Sequence, residues 1–415
     1  MYNQAVHPGN FYTAHRSLCC FIFSVAILLV SCGHTPSSEN YGFVTTLGHD
    51  TISVEAVTRQ GNTETIDAVD RFPRVRVRHT VVELEDNGSI KHLEMDIHTP
   101  SEPAGQRDRK VVADVSNNTV HLSKTDNTGT VKRDFATGGS IVVAHVPQMY
   151  SLYELYFAAA LKQAAASKTA AVSTVPMRQF YIDREFDNFP LGRASVQLVG
   201  NGKADVTHDW LSGTGEASMD SNYHMLYYSG ARTTYKVEVI RLSSPPAVKS
   251  VGKEFEALES KTGAVKELSV RDTVRAAIGN AQFTVDYGRP LMRGRTLLGD
   301  VIPYDRVWRT GANAATQFTT SAPIKLAGMQ VPAGAYTLWT IPHAAGADLV
   351  VNKQTGQWGT EYKGSFNLGT VKFATQEATT PVEAFTISIV PGDAKHGTLV
   401  MEWGQFKWTA PIEVQ

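Results

Sequence analysis

The sequence predicts a mainly β protein: a large curved antiparallel sheet carrying one helix, followed by a β-sandwich-like domain. Three observations lead there. Asn87-Gly88 sits between two β-rich runs, which is the strongest short hairpin signal. Apolar residues at helical spacing stand out in one stretch of the first half, "SLYELYFAAALKQAAAS". Beyond residue 264 the chain again reads as short β segments separated by Gly and Pro turns.

Composition sets the outer bounds. A chain of 415 residues, 42% hydrophobic and 19% charged, is long enough for two domains and apolar enough to bury their cores. With 39 basic and 40 acidic side chains the net charge is −1, so the broad positive field of a nucleic-acid binder is missing and no nucleic-acid partner is expected.

The three cysteines, Cys19, Cys20 and Cys32, all lie in the first 32 residues. Arg16 precedes an apolar run of thirteen residues, Leu18 to Val30. A spanning helix needs about 20 residues, so the run reads as a signal-peptide core. Leu29-Val30-Ser31-Cys32 resembles a bacterial lipobox, which implies cleavage after residue 31 and lipidation of Cys32. Residues 1–31 are then a lipoprotein signal peptide and 32–42 a small, polar tether. Several acyl chains together anchor a protein firmly, so the membrane is an expected partner through the lipid. Gly33 in place of aspartate points to the outer membrane, facing the periplasm or the cell surface. With Cys32 lipidated, thiol catalysis, cysteine-ligated zinc and redox exchange drop out for the mature chain.

Residues 43–242 form the first domain. In "RVRVRHTVVELEDNGSIKHLEMDIH" a two-residue loop pairs Leu84 with Lys91, Val82 with Leu93, Thr80 with Met95 and Arg78 with Ile97. That register collects Val82, Leu84, Leu93, Met95 and Ile97 on one buried face, and a one-residue slip scatters them. Further strands are expected around 111–122, 129–134, 139–147, 177–186, 193–200, 203–210 and 223–241. The helix is placed at 152–167. Ser151 and Glu154 have the spacing of a capping box, and Leu152, Leu155, Tyr156 and Ala159 form its apolar stripe. Pro245-Pro246 breaks the strand pattern, so 243–263 reads as a linker. Residues 264–415 form the second domain, closing on "GTLVMEWGQFKWTAPIEV", read as a hairpin that turns near Gly404-Gln405.

The second half carries a run of recognisable phrases: "VDYGRPLMRGRTLLGDVIPYDRVWRTGANAATQF", "VPAGAYTLWTIP", "LVVNKQTGQWGTEY" and "TLVMEWGQFKWTAPI". Together they resemble the bacterial domain-of-unknown-function family numbered 2911, over about Leu268 to Val414. The resemblance implies a compact β-sandwich-like domain in an exported protein and no established reaction. One departure is "SFNLGTVKF", Ser365 to Phe373, where relatives carry an acidic residue and an arginine.

Two constellations are candidates for chemistry. Asp300, Asp305, Arg306, Trp308, Arg309 and Asn313 crowd one stretch. They make either a ligand pocket, with arginines for an anionic or sugar-like group, or a hydrogen-bonded structural corner. Trp308, Trp339, Trp358 and Trp403 are read as core or core-edge residues. On the hairpin, His79, His92, Glu94, Asp96 and His98 share a polar strand face. That set suits either metal ligands or a solvated surface. No Gly-x-Ser-x-Gly elbow, phosphate-binding loop or dedicated metal spacing occurs, and no cofactor is expected. The reading that results is a lipid-anchored envelope protein that binds a small molecule, a glycan or a protein partner. A metal-assisted hydrolase and a structural or assembly lipoprotein are the alternatives.

Overall fold

A computed structural model describes residues 38–415, apart from 168–172, 183–190 and positions 210, 223 and 266. The signal segment and Cys32 lie outside the described residues.

The chain opens with β1 (Ser38–Leu47), β2 (Asp50–Gln60) and β3 (Thr63–Asp70), then the hairpin β4 (Arg76–Leu84) and β5 (Ile90–His98). Next come β6 (Asp108–Ser116), β7 (Thr119–Asp126), β8 (Gly129–Ala136) and β9 (Ile141–His145), and then helix α1 (Tyr150–Ser167). β10 (Ser173–Tyr181), β11 (Gly192–Gly200), β12 (Lys203–His208), β13 (Leu211–Met219), β14 (Met225–Ser229) and β15 (Glu238–Leu242) complete a sheet of fifteen strands among the described residues. Its order is β8-β7-β6-β5-β4-β3-β2-β1-β15-β14-β13-β12-β11-β10-β9. All neighbours are antiparallel except β9 and β10, which run parallel because α1 is the crossover between them.

The predicted hairpin register holds at Val82↔Leu93, Thr80↔Met95 and Arg78↔Ile97. Leu84 pairs with Ile90 instead of Lys91, because a bulge enters at Glu83/Leu84. Val82, Leu93, Met95 and Ile97 are buried, as that register requires. Gly88 has φ +86°, and a Cβ there would lie 2.9 Å from the Ala159 backbone of α1. The hairpin turn is thus pressed against the helix, and only glycine fits. The Val142 amide of β9 donates to Ser89 Oγ in the same turn at 2.9 Å. The sheet therefore curls around α1, bringing β9 beside the β4–β5 turn.

Inside this curl α1 is buried on every side from Tyr150 to Ala160. It is not a one-faced amphipathic helix, so each polar group on it needs an internal partner. The expected capping box does not form. Glu55 of β2 caps the helix instead, accepting from the amides of Tyr150 (2.6 Å) and Ser151 (3.1 Å) and from the Ser151 hydroxyl. Burial pushes the Glu55 carboxyl up to about 7 against the pull of these bonds. Glu154 turns toward the sheet, where it accepts from Tyr41 (2.7 Å), the Met225 amide (2.7 Å), Arg59 (3.2 Å) and Arg241. Arg59 also binds Glu64, so two buried carboxylates and two guanidiniums balance.

Two sequence expectations fail here. Residues 38–42, expected in the tether, are part of β1, and Tyr41 is buried. Residues 243–263, expected as a linker, contain helix α2 (Val248–Thr262). Its Val248 and Phe255 pack on Val54, Val69 and Val75, covering the outer face of β2–β4.

The second half stacks two sheets over one core. β16 (Val270–Ile278), β17 (Ala281–Arg289), β18 (Thr316–Thr320), β21 (Gly334–His343), β22 (Gly346–Asn352) and β23 (Asn367–Lys372) make the larger, in that order. β20 (Met329–Val331), β19 (Ile324–Leu326), β25 (His396–Val414) and β24 (Ala374–Pro391) make the smaller. The end of the chain is not a hairpin on itself. β25 is one long strand paired with β24, and Gly404, at φ +55°, marks a bulge. Leu399, Met401 and Trp403 are buried before it and Phe406, Trp408, Ala410 and Ile412 after it. The bulge changes the odd–even parity so that both halves face one core.

Replacing Glu154 with alanine leaves Arg241 without its buried counterion, while Arg59 keeps Glu64. The expected cost is about 3–5 kcal/mol in urea denaturation of the full chain; a change below about 1 kcal/mol would show that the network is idle.

Candidate functional site

The two β halves meet at Arg293, in the long connection of residues 290–315 between β17 and β18. Arg293 Nε binds Asp50 Oδ2 of β2 at 3.0 Å, its Nη2 donates to the Leu268 carbonyl, and its own carbonyl accepts the His49 amide at 3.0 Å. Beside this joint opens a cavity of about 430 Å³, within the size range of small-molecule sites. Its walls come from distant segments: Leu47 and Phe72, Lys236 ahead of β15, Ser269, Arg293 and Arg295, Trp308 and Arg309, Gly311 to Asn313, Trp358 and Trp403.

The connection that supplies most of this wall is conformationally demanding. Asp305 (φ +58°), Thr310 (φ +53°) and Asn313 (φ +61°) all occupy the left-handed region without being glycine. Surrounding bonds hold them there. The Asp305 amide donates to Pro342, Trp308 exchanges backbone bonds with Thr340, and Thr316 Oγ1 donates to the Thr310 carbonyl. The Trp308 ring stacks on Trp403 at 5.9 Å and 13° and meets the edge of Phe385. Those contacts turn the next residue, Arg309, into the cavity. There its Cδ passes so close to Gly359 that a Cβ on that glycine would lie 2.2 Å away.

The electrostatics of the cavity are lopsided. Arg293 has Asp50, whereas among the described residues Arg295 hydrogen-bonds the carbonyls of Leu291 (2.7 Å) and Met292 (3.0 Å). Burial and then Arg293 pull the Arg295 pKa down, against the carboxylates of Asp300, Glu383 and Asp50, which it does not bond. Lys236 Nζ donates to the Ala231 carbonyl. The Arg309 guanidinium has no hydrogen-bond or ion-pair partner among the described residues, and burial alone pulls its pKa down. Burial, then the neighbouring Arg309 and Arg295, brings the Lys236 amine down to about 8, against the opposing pull of Asp300. Glu267 is the single acidic side chain in the lining, and it is exposed.

The structure divides the six residues proposed for a binding pocket. Trp308, Arg309 and Asn313 line the cavity. Asp300 is exposed outside the lining, within electrostatic reach of Lys236. Arg306 is exposed to solvent away from the cavity, and Asp305 turns to His343 at 2.6 Å. Lys236, Arg293 and Arg295 were not singled out from sequence. Trp358, read as a core or core-edge residue, is 50% exposed and lines the cavity.

The hairpin residues do not converge. His79 bonds Asp67 (2.8 Å), His92 bonds Asp114 (2.7 Å), His98 bonds Asp108 (2.6 Å) and Glu94 bonds Lys110 (2.5 Å). The register does place His79 opposite Asp96, but the imidazole reaches the other neighbouring strand. Asp96 lies 4.0 Å from Lys110. Among the described residues no group of three or more His, Cys, Asp or Glu side chains is placed to hold a metal.

His343 offers a local check on this geometry. Its pKa is raised, first by the hydrogen bond to Asp305 and then by Asp348. Asp305→Asn is expected to return the imidazole toward its ordinary range in an NMR titration; an unchanged midpoint would mean that the two side chains are not bonded.

No curated protein matches the chain. Among solved structures, a DUF1089 family protein from Pseudomonas aeruginosa aligns at 10% identity, covering 44% of this chain and 91% of that one, with a TM-score of 0.33. A β-barrel-like protein of the domain of unknown function DUF1849 from Brucella abortus aligns at 11% identity, covering 50% and 95%, with a TM-score of 0.27. Residues 269–412, which hold the cavity's connection and all of the recognisable phrases, match the family described as a protein of unknown function, DUF2911.

Proposed function

We propose that this protein is a lipid-anchored component of the bacterial cell envelope that binds a small molecule in the cleft between its two β halves. The observation behind the binding role is the cleft itself. Side chains from segments up to some hundreds of residues apart in sequence meet around an open space of about 430 Å³, and one wall is held in a conformation that L-residues adopt reluctantly. Backbone held this way needs a surrounding structure that over-determines it, and binding sites are where such segments collect. The anchor rests on the apolar run before Cys32 and the lipobox-like Leu29-Val30-Ser31-Cys32. A tether of a few small polar residues would then hold β1 near the membrane surface.

Two measurements test the two parts. Cells given labelled palmitate are expected to label the wild-type protein and not Cys32→Ser, and the variant is expected in the soluble fraction. Equal labelling of both, or neither, removes the anchor. For the cleft, native mass spectrometry of protein extracted from envelopes is expected to show a bound small molecule that is lost in Ser269→Trp, which fills the cavity from its lining. A ligand retained in that variant would place binding elsewhere.

A further inference from the structure

We propose that the occupant of the cleft is a small organic anion, a carboxylate or phosphate monoester attached to a planar ring or sugar face. This deepens the binding reading above and rests on it. Charge inside this one cavity does not balance. Four cationic side chains line it, Lys236, Arg293, Arg295 and Arg309, against one exposed carboxylate, Glu267, and among the described residues only Arg293 has a carboxylate bound to it. Arg295 and Lys236 use backbone carbonyls, which carry partial charge only. Arg309 has neither among the described residues.

A guanidinium cannot shed its proton to escape such a site, so the remaining way to relieve it is a counterion. Its planar fork of donors suits a carboxylate or phosphate in two-point contact. Lys236 responds differently, since its amine releases its proton easily here and takes it back when a negative group arrives. The apolar part of the ligand is indicated by Trp358, a half-exposed ring in the lining beside the cations, and by Trp308. An inorganic ion would leave Trp358 without use.

Isothermal titration of the full chain with phenyl phosphate, benzoate and glucuronate, beside phenol, glucose and inorganic phosphate, tests this. The ring-bearing anions are expected to bind, and phenol, glucose and inorganic phosphate at least about tenfold more weakly. Arg309→Gln is expected to lose about tenfold or more, with Arg309→Lys recovering part of it. Binding is also expected to take up protons near pH 8 and none near pH 6, because the anion recharges Lys236; Lys236→Met removes the uptake. Affinity should therefore fall as pH rises through about 8. Uptake of protons is a signature that a merely destabilised variant does not mimic, and thermal melts of each variant confirm folding.

Uncharged phenol or glucose binding as well as its anionic counterpart would overturn the anion and leave the cleft standing. Inorganic phosphate binding as tightly as phenyl phosphate would overturn the ring. No binding by any member, together with no ligand in protein from envelopes, would remove the site altogether.

Discussion

The fold depends on one costly arrangement, a helix buried on all sides within a curved sheet. Alanine, leucine and tyrosine satisfy most of the α1 surface, but its free N-terminal amides and Glu154 cannot be left bare in that interior. The sheet answers both needs. Glu55 of β2 caps the amides, while Tyr41, Arg59, Arg241 and the Met225 amide close around Glu154. These partners come from β1, β2, β14 and β15, so one glutamate fixes the helix against the middle of the sheet. Such a network gives little net stability over an apolar replacement, but it penalises any other seating of the helix.

The same middle strands form the joint to the second half. β1 and β2 meet at Gly48, where φ is +62° and a Cβ would lie 2.1 Å from the Arg293 carbonyl. That contact, with Asp50 on the Arg293 guanidinium, holds residues 290–315 against the first sheet and leaves a gap beside it. Cations gather in the gap because the chain supplies arginines on one side and Lys236 on the other, with one carboxylate spent on the joint. Stability alone would favour apolar or paired residues at these positions. A surplus of half-buried positive charge is what an anion site looks like before its ligand arrives.

Much of the fold is legible in the sequence where interactions are local. Asn87-Gly88 and period-two alternation place the β4–β5 register to within one bulge, and the phrases from Asp286 onward mark the second half. Non-local choices are less legible. Ser151 and Glu154 have capping-box spacing, yet the carboxylate of Glu55, on β2 and 95 residues before Tyr150, takes the cap. Val248, Val251 and Phe255 are spaced for a helix, but Pro245-Pro246 ahead of them reads as a break; proline just before a helix starts it as readily as it ends a strand. Gly404 reads as a turn because positive φ serves a bulge as well as a hairpin. For the cleft, Arg309, Trp308 and Asn313 are visible as a polar cluster, whereas Lys236 is invisible, because nothing near it in the chain hints at arginines sixty residues onward.

Positive charge without enough bound carboxylate to balance it is the property of the cleft on which anion binding depends. The most direct measurement is the titration of the Lys236 amine in the free protein, by NMR of ¹³C-methylated lysines with Lys236→Arg to assign the signal. A midpoint at about 8, lowered first by burial and then by Arg309, and moving up in Arg309→Gln as that positive charge is removed, is what the structure predicts. A midpoint in the ordinary lysine range, about 10 or above, would mean that Lys236 is solvated or already paired, and that the cleft is not short of negative charge.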